Sequence, residues 1–454
     1  MAKLYAISDS TLFDVTTANA TPVDVTDTLT ITNDHWQFIN FPNVAGVHML
    51  AVNGADDMLW FKPDGTTIVQ IPSGDGTADT IGGVDPQDLI HIYSHQKRIW
   101  FVEKDSTNAW YLPSEQVSGV AVSFNPGINW TRGGYLNQII TWTIDDGNGA
   151  DDHLVFISSN GEASVYQGID PSSVDTWSLQ GVYYIGAPVG RRSAVRYGGD
   201  IAILTQHGLV MLSALLQSTK VNPTDQDQGR MIQQLVSANV SENGSIFGWQ
   251  PFVYPGANMF FLNMPANSTT RFQFAMNDIT MAWSEFIGYD ALCWELHTEL
   301  PFYGTNGKVC RAWEQYTDGA VIDSLTGEVT PGDDIQWQVQ TAFSQFGMPG
   351  YQKHFKMVRP IVMSSGRVSI SIACNTEYTF RNPLAPVYLS GLGLGVWDSS
   401  IWGNAYWDGG LSTYKRWAVI QGIGTAASLR MLGRSDSETY FASLDWLFEK
   451  GGIM

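Results

Sequence analysis

Charge is scarce in this chain. Asp, Glu, Lys and Arg make up 15% of its 454 residues, against ~25% in ordinary soluble domains. Cations are the scarcer sign: 24 Lys and Arg stand against 44 Asp and Glu, for a net charge of −20. A protein that reads nucleic-acid sequence needs a basic face, so that role is set aside. No run of ~18 apolar residues occurs, so no membrane span is expected. The opening Met1-Ala-Lys-Leu-Tyr-Ala-Ile-Ser-Asp-Ser turns polar too soon for a secretory signal, which points to synthesis and retention in a cytoplasm. The three cysteines, Cys293, Cys310 and Cys374, are odd in number and lack CxxC spacing. They argue against a disulfide framework or a structural zinc site and read as free thiols. The G-x-S-x-G elbow, H-E-x-x-H and the phosphate-binding G-x-x-x-x-G-K-[ST] are also missing.

What the chain does have is 45 Gly, 17 Trp, 18 Tyr and 21 Phe, with 44% hydrophobic residues. That is enough to bury a large core, and the length suits two to four domains. Its composition is β-rich. Short apolar strands recur, each followed by a polar turn and a second strand. Leu59-Trp-Phe leads to Asp64-Gly, Ile99-Trp-Phe-Val to Asn108, and Leu154-Val-Phe-Ile to Asn160-Gly. Ile201-Ala-Ile-Leu leads to His207-Gly, Met259-Phe-Phe-Leu to Asn267, and Pro301-Phe-Tyr to Asn306-Gly. Turns near 65, 108, 161, 208, 267 and 307 lie about 48 residues apart on average. Gly, Asn and Asp suit tight hairpins because they tolerate positive φ. A wholly apolar strand is buried on both faces. Six such units predict an all-β fold, an irregular six-bladed β-propeller over 41–319. A large β-sandwich with insertions is the alternative.

One short inserted helix is expected over Thr224–Val240, with Thr224 as N-cap and Met231, Leu235, Val236 and Val240 on its apolar face. Residues 320–454 read as an additional C-terminal β-domain. Residues 1–40 are expected to supply N-terminal strands that pack with it.

Charge is uneven along the chain. Residues 1–90 hold 12 Asp, no Glu, and only Lys3 and Lys62. The stretch 335–376 is the opposite: it carries Lys353, His354, Lys356, Arg359 and Arg367 and no acid. Either these are a solvated acidic face and a chance basic loop, or they are complementary docking surfaces. Lys353, His354, Lys356 and Arg359 are therefore interface candidates. So are Trp397, Trp402 and Trp407, spaced by five residues in a Gly-rich stretch. Rings in this pattern anchor an interface or staple a local aromatic core.

Candidates for chemistry are sparse. His91 and His95 sit four apart, but in an extended stretch, where they read as ordinary strand histidines. The loop Asp145–Asp152 holds four carboxylates and is the one calcium candidate. Its twelfth EF-hand position, counted from Asp146, is Ile157 and not Glu, so it reads first as a polar hairpin. Asp200 and Asp290 are candidate acids for a glycan-cleaving propeller, although the S-x-D-x-G-x-T-W box of sialidase propellers is missing. No catalytic residue, cofactor or resident metal is assigned.

A resemblance enters at this point. Arg98-Ile-Trp-Phe-Val-Glu-Lys-Asp with Ala109-Trp-Tyr-Leu-Pro and Arg132-Gly-Gly-Tyr-Leu resembles the tail-nozzle proteins of short-tailed (podovirus-type) bacteriophages. So do Val155-Phe-Ile-Ser-Ser-Asn-Gly-Glu-Ala-Ser-Val-Tyr-Gln-Gly and Tyr197-Gly-Gly-Asp-Ile-Ala-Ile-Leu-Thr. That family is also called tail tubular protein B or packaged-DNA stabilisation protein. The resemblance spans roughly 90–215. It implies a propeller subunit of a homo-oligomeric, hexameric ring in the virion tail, assembled in the host cytoplasm. Such a ring sits below the portal and adaptor rings, bears tail fibres or spikes nearby, retains the packaged genome and conducts double-stranded DNA without sequence-specific binding. The family brings no catalytic residues. An acidic lining would let duplex slide, and the Asp-rich residues 1–90 are compatible with one. The alternative is a glycan-binding or glycan-cleaving propeller module of a phage tail.

Overall fold

The computed structural model describes residues 2–18, 21–77, 79–145, 150–173, 175–216, 229–322, 326, 328–330, 332–366, 368–383, 387–389 and 411–453. The chain divides into two compact units, Met1–Ala312 and Trp313–Met454. Six antiparallel sheets follow one another over residues 37–311, each built from consecutive strands except the second, where Gly119–Val120 leaves the sheet to pair with Ile81–Gly82. Blade one uses Gln37–Asn43, Gly46–Val52, Met58–Phe61 and Ile68–Ile71. Blade two uses Leu89–His95, Arg98–Glu103, Ala109–Tyr111 and Val122–Phe124. Blade three uses Leu136–Asp145, Ala150–Ser158, Glu162–Gly168 and Trp177–Tyr184. Blade four has three strands, Ala194–Tyr197, Asp200–Thr205 and Gly208–Met211. Blade five uses Gln250–Tyr254, Met259–Pro265, Arg271–Asn277 and Trp283–Ile287, and blade six Cys293–His297, Leu300–Thr305 and Lys308–Arg311. The first strands of successive blades lie side by side from blade one to blade six. They form the inner ring of an irregular six-bladed β-propeller.

The apolar runs now have a physical explanation. Successive side chains of a strand point to opposite faces, and both faces of blades two to five meet a neighbouring blade. Ile99 and Phe101 enter the core shared with blade one, while Trp100 and Val102 enter the core shared with blade three. Leu154 and Phe156 pack toward blade two, Val155 and Ile157 toward blade four. Ile201 and Ile203 pack toward blade three, Ala202 and Leu204 toward blade five. Each fully buried side chain of this size contributes about 1.5–3 kcal/mol. The turns also require their residues. Gly161 has φ of 84°, and a Cβ there would stand 2.3 Å from the backbone of Gly186, so only glycine fits.

Three details differ from the sequence reading. The turn at Asp64-Gly65 joins the third and fourth strands of blade one, whereas the other five turns join second to third strands. The equivalent turn in blade one is at Asn53–Asp56, where Asn53 Oδ1 accepts from the Ala55 and Asp56 amides at 3.0 and 2.8 Å. Next, Tyr5–Ser8, Thr11–Asp14 and Val23–Asp24 pair with one another. Leu12, Ile31 and Trp36 join Ala51, Leu59 and Phe61 on the face of blade one turned away from blade two. This N-terminal segment therefore belongs to the first unit, not to a domain with C-terminal strands, and the unit boundary falls at 312/313 rather than 319/320. Finally, the helix spans Gln233–Asn243. Ile232, Val236 and Val240 pack into the core between blades four and five, whereas Met231 and Leu235 are exposed. Val236 and Val240 thus lie on the packed face as expected, Ile232 takes the place expected of Met231, Leu235 faces outward, and Thr224 lies outside the described residues. A further short helix, Leu212–Leu216, follows blade four.

The second unit is a β-sandwich. One sheet holds Thr317–Asp318, Asp333–Gln340, Ala427–Ser435, Val368–Thr376 and Val387–Leu389. The other holds Ser412–Lys415, Tyr351–Ser364 and Ala418–Gly424, with Thr439–Ile453 along the free side of Tyr351–Ser364. Val368, Ile370, Ile372 and Cys374, at every second position, face Phe355, Val358 and Val362 across the core. Tyr351–Ser364 and Val368–Thr376 are thus successive strands in opposite sheets. Among the described residues no helix is long and apolar enough to cross a membrane.

Candidate functional site

The six innermost strands of the propeller enclose an axial cavity of about 530 Å³. Every blade contributes, through Gln37–Asn40, Tyr93, Gln138, Ala194, Gln250 and Glu295 among others. Neighbouring inner strands run in the same sense, and polar side chains tie them. Gln138 of blade three accepts from Ala194 N at 3.2 Å and donates to Ala194 O at 3.3 Å. Gln250 of blade five accepts from Trp294 N at 3.0 Å and donates to Trp294 O at 2.9 Å. A primary amide carries one acceptor and donors on the same carbon, so it can engage both groups of a neighbouring peptide. Each glutamine stands in for the strand that is missing between two blades.

Two histidines tie blades two and three by single hydrogen bonds. His91 Nε2 lies 3.0 Å from Ile139 O, and His95 Nδ1 lies 2.9 Å from Thr141 Oγ1. Burial pushes each imidazole down from 6.5 to about 4. The Arg192 and Arg191 charges add to this at His91. At His95, Asp152 opposes it and His153 adds to it.

Two charged groups line the cavity. Arg192 Nη2 donates to Trp36 O at 2.5 Å, its guanidinium standing 5.9 Å from the Phe247 ring, which stacks on His35 at 4.0 Å. These residues lie just before the inner strands of blades one, four and five. Glu295, on blade six, accepts from Leu296 N at 3.1 Å. Burial pushes its carboxyl above the ordinary value, opposed by that amide and by the Arg192 charge.

No protein-family profile matches the chain, and no curated protein matches it. Among solved structures it is similar to a 6-phosphogluconolactonase-like protein of Bacteroides uniformis, at 11% identity and a TM-score of 0.43, covering 71% of this chain and 90% of that one. It is similar to Sqt1 of Saccharomyces cerevisiae at 10% identity and a TM-score of 0.39, covering 72% and 82%. The WD40 domain of SCAP from fission yeast matches at 9% identity and a TM-score of 0.32, covering 87% and 94%. The assignment as a propeller rests on the chain's own six sheets.

The residues singled out from sequence fall as follows. Lys353 is fully buried, and its Nζ donates to Met348 O, Tyr351 O and Thr425 O at 2.8, 3.1 and 2.8 Å. Lys356 pairs with Glu449. Arg359 grips Asp445 Oδ2 through Nε and Nη2 at 2.9 and 2.6 Å and lies over Trp417 at 4.9 Å. His354 is exposed opposite Glu449 in the strand register. Two cations of the acid-free stretch, Lys356 and Arg359, are thus matched across the sheet by acids of the last strand. Trp397, Trp402 and Trp407 lie outside the described residues. So do 146–149 of the calcium candidate loop; Asp152 beside them accepts from Thr143 Oγ1 at 2.7 Å.

Asp200 accepts from Ser213 N at 3.0 Å and from the Ser213 hydroxyl, holding the turn into Leu212–Leu216. Asp290 accepts from Arg271 N at 3.0 Å. Both candidate acids serve the backbone. The Asp excess of 1–90 also has a local cause. Asp14, Asp24, Asp64 and Asp75 each accept from the amide two residues on, at Thr16, Thr26, Thr66 and Thr77. A carboxylate on a one-carbon stem closes such a turn, which accounts for Asp at these positions. None of the acids in 1–90 lines the cavity. Sequence reasoning missed Arg192, Glu295 and the glutamines. Gln37 and Gln250, each opening the innermost strand of its blade, were the available signal.

Proposed function

We propose that the chain is a structural subunit of a phage tail nozzle. In this reading it assembles as a hexameric ring below the adaptor, helps retain the packaged genome and conducts it during ejection. One observation carries the reading. The segments that resemble nozzle proteins fall on adjacent strands of blades two, three and four, and much of them is interblade core, including Trp100, Phe101, Val155, Phe156 and Ile203. What is shared is therefore a packed scaffold, and a scaffold's task is to hold shape. The engagement of Asp200, Asp290, His91 and His95 in structural bonds fits the same reading.

The test is assembly. Purified protein is mixed with adaptor–portal complexes from a short-tailed phage that carries this chain, then followed by light scattering and negative-stain imaging. Sixfold density added at the free end of the adaptor is expected. A particle that stays monomeric and unattached, or one that hydrolyses capsular glycans and loses that activity in Asp200→Asn, would overturn the reading.

A further inference from the structure

The axial cavity has the makings of a ligand site that is independent of any assembly role. Its volume of about 530 Å³ lies within the ~300–1,000 Å³ typical of small-molecule pockets. Its wall carries one cation and one anion, and no ion pair joins Arg192 to Glu295. The hydrogen bonds of Arg192 end at the Trp36 carbonyl, and those of Glu295 at the neighbouring Leu296 amide. Most hydrogen-bonding capacity of both groups is unspent on protein.

A second observation points the same way. Gln37 opens the innermost strand of blade one, as Gln250 opens that of blade five. Gln250, like Gln138 of blade three, holds its neighbour's backbone, but the buried Gln37 Nε2 has no partner. Gln37 is 8% exposed and lines the cavity. A buried amide donor without an acceptor costs free energy, and an arriving acceptor removes that cost. The remaining wall mixes apolar side chains, Phe38, Phe252 and Leu296, with polar ones, Asn40, Ser94 and Gln138.

We infer that the axial cavity binds a short peptide zwitterion, of dipeptide size, with its carboxylate on Arg192 and Gln37 and its ammonium on Glu295. A lone anion would meet Glu295 and a lone cation would meet Arg192, whereas a molecule bearing both charges meets each with its opposite, and a peptide backbone with an apolar side chain suits a wall that mixes amides and rings. Charge-assisted hydrogen bonds at both ends favour it over either half.

Calorimetry on the full chain tests this with three probes of one shape: leucyl-phenylalanine, its N-acetyl derivative and its C-terminal amide. The free dipeptide is expected to bind, with each charge-deleted derivative at least about tenfold weaker. Glu295→Gln is expected to bring the dipeptide down to the level of the N-acetyl derivative. Arg192→Gln should bring it down to the level of the amide, but that change also releases Trp36, so Glu295→Gln carries the test. No binding of any probe up to its solubility limit, equal binding of dipeptide and derivatives, or unchanged dipeptide affinity in Glu295→Gln would each overturn the inference.

Discussion

Acid should loosen the seam between blades two and three before it affects most other interfaces. His91 and His95 are held neutral there, each pushed from 6.5 to about 4 by burial. Between those two values the unfolded chain binds a proton at each imidazole that the native chain refuses. Stability is therefore fully present above pH 6.5 and is lost as pH falls toward 4. A displacement of this size corresponds to about 3 kcal/mol per histidine over the whole window. Between pH 7 and pH 5 the share is about 2 kcal/mol each, or about 4 kcal/mol for the pair. The assay is urea unfolding followed by tryptophan fluorescence at both pH values, for the wild type and for a His91→Gln, His95→Gln double variant. Glutamine keeps a donor for the Ile139 carbonyl and does not titrate. The variant can start less stable at pH 7; what matters is how much further the wild type falls. The His48 imidazole, also pushed down by burial, is common to both proteins and cancels. Parallel losses in the two proteins would refute the reasoning.

Other outcomes follow from the same contacts. Lys353→Ala strips three carbonyls of a buried ammonium and should cost about 3–5 kcal/mol in denaturant unfolding of the second unit. Lys356→Ala should barely register, because Lys356 and its partner Glu449 are solvent-exposed. Trp100→Ala opens the core where Trp100 meets Trp177 at 5.9 Å and Phe156 at 5.6 Å. A loss of about 3–5 kcal/mol is expected by the same measurement. Gln250→Leu leaves the N–H and C=O of buried Trp294 without their partner and should cost about 1–3 kcal/mol; equal stability to wild type would remove the role given to the glutamine ties.

The blades were readable because a strand such as Ile99–Val102 has neighbours on both faces and so cannot alternate with polar residues. Spacing then counted the units. Blade one was read one hairpin late because its Met58–Phe61 is as apolar as the second strands of the other blades, and burial alone does not number strands. The helix stripe was half legible: Val236 and Val240 face the core, but which of the adjacent apolar Met231 and Ile232 does so depends on blades four and five. The basic segment looked unpaired in sequence for a different reason. The acids that balance Lys356 and Arg359 lie 93 and 86 residues further on, and sequence-local counting does not see across a sheet. The axial cavity was invisible because its wall takes a few residues from each of six blades, and no local window contains it.

The N-terminal strands suggest how the ring is made. Each blade comes from one continuous stretch of chain, so an emerging chain can finish one before the next has been synthesised. A first blade standing alone would expose two greasy sides to the ribosomal surroundings. The hairpins of residues 5–24, and the segment that follows, already shield one of them with Leu12, Ile31 and Trp36, much as terminal repeats shield the ends of solenoids. Only the growing side then stays sticky, which gives the nascent wheel a direction of growth and a single place to add the next spoke.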